Sequence, residues 1–161
     1  REIQGLAASF ESVRIDGEDY RHRGLPDAPT APDLDLVKQR ADADGASLDH
    51  FVDLSRHLSG VHPSKYGALL DGVSTVCLEG VHTVDDQATA LRLVVLADRM
   101  YDRDLPVLAS GVTFDRLFAA QLLEGGYRKK YFRAVSRLVA LAREGAGLPE
   151  AGLPEAGPPR G

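Results

Sequence analysis

The sequence predicts a helix-dominated α/β fold. Apolar residues recur at helical spacing over three stretches, 47–58, 85–101 and 127–143. Two short apolar runs with strand character, 74–78 and 105–109, lie between them. Hydrophobic residues make up 43% and charged residues 27%, a balance that excludes wholesale disorder. A chain of 161 residues can bury about 70% of its unfolded surface, so a core needs no covalent staple.

In chain order, Ile3, Leu6 and Ala7 suggest the end of a helix. Phe10, Val13 and Ile15 suggest a strand closed by the Asp16-Gly17 turn. Pro26, Pro29 and Pro32 make 24–33 an extended loop, and a short polar helix is expected over 33–42. Ser47 is an expected N-cap, with Leu48, Phe51, Val52 and Leu58 inward, and His62-Pro63 closes that helix. Ser64 is expected to cap a short helix with Tyr66, Leu69 and Leu70 inward. Asp85 or Asp86 starts the strongest helix, which is apolar nearly all round and so reads as buried against several neighbours. Thr113 is expected to cap a helix with Phe114, Leu117, Phe118 and Leu122 on one face, broken by Gly125-Gly126. The last helix carries Tyr131, Val135, Leu138 and Ala142 as its buried stripe. Beyond it, Gly-Leu-Pro-Glu-Ala occurs twice, at 147–151 and 152–156, and the composition predicts a disordered tail.

Charge is unevenly distributed. Residues 125–143 hold six cations (Arg128, Lys129, Lys130, Arg133, Arg137, Arg143) and no acid. Taking those six from the net charge of −5 leaves −11 on the remainder, so a basic helix sits on an acidic body. That body disfavours binding along a polyanion. The single cysteine, Cys77, excludes an intrachain disulfide and reads as a small core residue. Purely apolar runs reach only five residues, at 93–97 and 138–142, where a membrane helix needs roughly 20. No signal segment opens the chain, and Arg1 in place of methionine suggests a processed or partial product. No phosphate loop, dinucleotide fingerprint or nucleophile elbow is present, and the five histidines lack metal-ligand spacing.

Three segments in order carry a family resemblance. They are Asp19-Tyr20-Arg21 with Arg23; Ala90-Leu91-Arg92 leading to Asp98-Arg99-Met100-Tyr101-Asp102; and Gly126-Tyr127-Arg128-Lys129-Lys130-Tyr131-Phe132-Arg133 running into Ser136-Arg137-Leu138. Together, over roughly 1–143, they resemble the C-terminal half of the ZapE family of AAA+ ATPases. Ala140 and Leu141 stand where that family often has Glu-Met, and Leu54-Ser55 where it often has Leu-Cys.

The resemblance implies the end of an AAA+ nucleotide-binding core over 1–23, a Pro-rich connection over 24–46, a helical lid with short strands over 47–143, and the tail over 144–161. It implies that the phosphate loop and Walker B acid belong to an N-terminal ATPase core missing here. ATP and Mg2+ would then be cofactors of the intact protein, with no catalytic residue in this chain. Implied too are a cytoplasmic homo-oligomer and a protein substrate, the cell-division machinery among the candidates. Arg137, with Arg133 one turn before it, would contact nucleotide phosphate. The alternative is a non-enzymatic interaction module using the basic helix, with Tyr127, Tyr131 and Phe132 among its cations for nucleic acid.

Overall fold

The computed structural model describes residues 24–42 and 45–147. The expected helix and strand within 1–23, and the tail beyond residue 147, lie outside these residues.

The element order is α1 (Leu34–Arg40), β1 (Ala46–His50), α2 (Phe51–Ser59), a 3-10 turn (Pro63–Lys65), α3 (Tyr66–Leu69), β2 (Thr75–Val81), α4 (Gln87–Asp102), β3 (Val107–Gly111), a second 3-10 turn (Phe114–Arg116), α5 (Ala120–Leu123) and α6 (Arg128–Gly145). The helix-dominated α/β class is thus observed. The strands form one parallel sheet in the order β1-β2-β3, pairing Leu48 with Cys77 and Cys77 with Leu108. Parallel neighbours require crossovers, supplied by α2 and α3 and then by α4.

Side-chain alternation divides the sheet. Val76, Leu78, Val107 and Ala109 join the main core with Phe51 and Leu58 of α2, Leu93 and Ala97 of α4, and Val135 and Leu138 of α6. Cys77 and Leu108 point the other way, onto Val37 of α1. Each fully buried Val, Leu or Phe side chain among them stabilises the fold by about 1.5–3 kcal/mol. Burial also pushes the Cys77 thiol up, against a smaller opposing influence of Arg40, which fits a packed core residue.

Asp86 caps α4, its carboxylate accepting from the Thr89 N–H at 2.8 Å. Asp33 caps α1 in the same way, through the Leu36 N–H at 2.9 Å.

Several local expectations are corrected. Ser47 is not an N-cap: it lies in β1, and α2 begins at Phe51 after His50. Backbone pairing with β2 outweighs the local cap signal. Ser64 does not cap the next turn; His62 does, its ring nitrogen accepting from the Ser64 N–H, and Leu69 is exposed rather than inward. The helix expected from Thr113 is split. Val84 N–H donates to Leu117 O and Ala119 N–H to Val84 O, and this bridge holds Phe118 extended between a 3-10 turn and α5. β3 runs two residues later than expected, and α6 continues through Glu144 and Gly145. The span expected as connection contains α1 and the first residue of β1.

Candidate functional site

The two candidate arginines occupy successive turns of α6 in different surroundings. Tyr131, Ala134, Val135, Leu138, Val139 and Leu141 form the helix's buried side. This stripe fixes the rotation of α6, leaving Arg133 exposed and Arg137 half-buried beside α4. Arg137 Nη1 donates to Asp98 Oδ1 at 2.6 Å. Its guanidinium also lies over the Tyr101 ring, 5.0 Å from the centroid. Arg137 and Asp98 keep 31% and 21% of their side-chain surface, so the pair is partly shielded yet reachable. Arg133 makes no ion pair with the described residues.

The neighbouring charges of α4 are matched separately. Arg99 meets Asp102 at 3.1 Å, and Arg103, just past the helix, meets Asp71 at 2.9 Å. Arg99 and Asp102 are thus an i,i+3 pair within α4 itself. Asp98 instead takes an arginine from α6, a partner 39 residues away that no local pattern indicates.

The aromatic residues of the basic helix differ in exposure, although Tyr127 meets Tyr131 edge to face, with centroids 6.5 Å apart. Tyr131 is buried against Phe118, with ring centroids 4.7 Å apart, and Tyr127 is exposed. Phe132 carries the Arg128 guanidinium 4.1 Å above its ring. Burial pushes the Tyr131 hydroxyl up, reinforced by Tyr127 and Asp86, and its oxygen has no hydrogen-bond partner among the described residues. These rings do not form one continuous stacking face.

A second polar cluster is one that sequence patterns do not indicate. Glu79, near the C-terminal end of β2, is buried; His50 Nε2 lies 2.9 Å from its Oε1 and Lys38 Nζ 3.6 Å from its Oε2. Beside it, the Gly80 N–H donates to Ser110 Oγ at 3.1 Å across a register shift in the β2–β3 ladder. The one signal in the sequence is an acid followed by glycine in an otherwise apolar strand. With one carboxylate oxygen near the Lys38 ammonium and the other within hydrogen-bond distance of the His50 ring, Glu79 ties α1 and β1 to β2.

For ATP and Mg2+ the described residues fit only partly. Guanidinium groups can donate to phosphate, but these residues hold no glycine-rich cradle. No three His, Cys, Asp or Glu side chains among them converge as a metal site. No helix among them is long and apolar enough to cross a membrane.

Comparison with known proteins gives one finding. The family model described as AFG1-like ATPase matches residues 31–146. That span includes the sheet, α4 and α6, and so both candidate arginines. No curated protein and no solved structure matches.

Proposed function

The chain belongs to the AFG1-like ATPase family, and on that premise we propose that it supplies the part of an ATP-hydrolysing machine that senses nucleotide and passes on its state. The observation carrying this reading is Arg137, held by Asp98 and Tyr101 at a half-open seam between α4 and α6. Asp98 engages Nη1, and the guanidinium retains further N–H donors suited to phosphate oxygens. Arg133, exposed one turn away, adds a second cation. ATP bound by the intact protein supplies the phosphate charge. The contribution of these residues is to orient donors towards it and to link it to α4 through Asp98. The phosphate loop and metal-binding acids of the intact ATPase complete the site, and this chain alone does not turn over ATP. Remodelling of a protein partner within a homo-oligomer, in cell division for example, is the matching output.

The test is Arg137→Ala, alone and with Arg133→Ala, in a chain carrying the phosphate loop and Walker acids. ATP turnover and thermal unfolding are measured on the same samples. The expected result is a loss of turnover of at least about tenfold, equivalent to about 1.4 kcal/mol, in samples still folded at the assay temperature. Unchanged turnover in the double variant, with only a lowered melting temperature, would mean that the arginines brace the fold.

A further inference from the structure

A groove of about 370 Å3 opens beside β3, one of the two edge strands of the sheet among the described residues, at the lower end of the usual range for ligand sites. Its walls are the 28–32 loop, Leu108 and Ala109 of β3, Phe114, and the end of α6 at Ala142, Gly145 and Ala146. Leu36 and Arg40 of α1 complete it. The walls are largely apolar, and Arg40 is the charged residue among them. Arg40 has no carboxylate partner among the described residues. The groove therefore suits an apolar side chain followed at short distance by an acid.

The end of α6 indicates where such a ligand comes from. Ala146 is the C-cap, and Gly147 follows with φ +76°, its N–H donating to Glu144 O at 3.0 Å. This bond and this left-handed glycine match the inner bond and the C′ position of a Schellman turn. In that turn the next residue usually packs back onto the last turn of the helix. The next residue is Leu148, and the last turn presents Ala142, a groove wall. Pro149 disfavours a helical conformation at the residue before it, and Glu150 follows Leu148 by two residues in the sequence.

We infer that the C-terminal Gly-Leu-Pro-Glu-Ala repeat is a tethered ligand of this groove, with Leu148 in its apolar part and Glu150 on Arg40. The second copy, with Leu153 and Glu155, has the same chemistry and is a reserve occupant. Tethering at Gly147 gives a weak contact a high effective concentration. The inference is independent of the nucleotide reading, since it uses neither Arg133 nor Arg137.

Amide NMR spectra and hydrogen exchange of the full 161-residue chain test it. In Leu148→Asp with Leu153→Asp, the signals of Leu108, Ala109, Val112 and Thr113 should move. The Ala109 amide, which the ladder turns away from β2, should exchange about tenfold faster. A synthetic peptide of the two repeats, added to this variant, should restore the spectrum. Arg40→Glu should displace the tail, and Glu150→Lys with Glu155→Lys should return it. Groove signals unaffected by the leucine substitutions would overturn the inference. So would groove signals that answer instead to Phe10→Asp with Val13→Asp, because the N-terminal segment would be the occupant. Signals that change with protein concentration would assign the groove to a second copy of the chain and overturn the inference as well.

Discussion

Breaking the Arg137–Asp98 pair measures what the seam contributes to folding, apart from the proposed phosphate contact. A hydrogen bond to a charged group is worth about 1.5–3 kcal/mol, and an exposed ion pair about 0–1. This pair is 2.6 Å long with 31% and 21% of its side-chain surface exposed. Its coupling should therefore be about 1–2 kcal/mol, after discounting for partial solvent screening. Stacking on Tyr101 and packing of the arginine stem add to the cost of Arg137→Ala, giving about 2 kcal/mol in all. For a chain of 161 residues that corresponds to a fall in melting temperature of about 4–8 °C. Denaturant unfolding of Arg137→Ala, Asp98→Ala and the double variant closes the cycle, and the double variant should cost less than the sum of the singles by about 1–2 kcal/mol. Because the pair is partly buried, salt screens it less than an exposed one, so part of the coupling should survive at about 1 M salt. Coupling below about 0.3 kcal/mol, the range of simple additivity, would refute the seam as described.

Two further outcomes follow from backbone approach and capping. A Cβ on Gly145 would lie 2.1 Å from Val107 O, so Gly145→Ala should push the end of α6 off β3 and cost about 1–3 kcal/mol by calorimetry, although alanine is the better helix former by about 1 kcal/mol; a raised melting temperature would contradict that packing. Asp86 titrates below its ordinary 3.8, chiefly because it accepts from the Thr89 N–H and then from the Thr89 hydroxyl, so its charge stabilises the fold above that value and ceases to as pH falls through the lower folded value. Asp86→Asn keeps a cap acceptor without the charge, so its melting temperature should converge on that of the parent as the solution is acidified below 3.8; a widening gap would reverse the sign of the linkage.

Local rules suffice wherever local interactions decide. Asp86 is one of the two starts that the sequence offers for α4, and the helix ends one residue past its expected limit. The buried stripe of α6 contains Tyr131, Val135 and Leu138 as its period requires, with Ala142 only half-buried. The strand β1 is hidden because Ser47 through Leu58 also reads as one capped amphipathic helix. Only pairing with residues 75–79 draws the first part out flat. The split after Thr113 has the same origin, since its cause is the distant Val84 backbone. For the site, motif resemblance locates Arg137 and Arg133, whereas Asp98, Asp71 and Glu79 acquire their partners through packing across tens of residues.

The charge asymmetry seen in the sequence narrows, in the fold, to the first half of α6. Arg99, Arg103 and Arg137 are each matched by a described carboxylate. Lys129, Lys130 and Arg133 make no such pair with the described residues, and Arg128 is stacked on Phe132. Three of these four cations stand in the first turn of α6, whose N-cap Tyr127 provides no side-chain acceptor. A cation there opposes the helix dipole at about 0.3–1 kcal/mol. Placing several there works against helix stability, and α6 persists because its opposite side is buried in the core. Stability therefore does not account for this concentration of charge, whereas on the proposed reading an anionic group facing the exposed half-helix would. Arg137 is the braced member of the set, and Arg133 is unpaired among the described residues. If the proposed nucleotide contact is made, Arg133 would meet a phosphate without first giving up a partner among those residues, while movement of Arg137 towards it would be transmitted through Asp98 to α4.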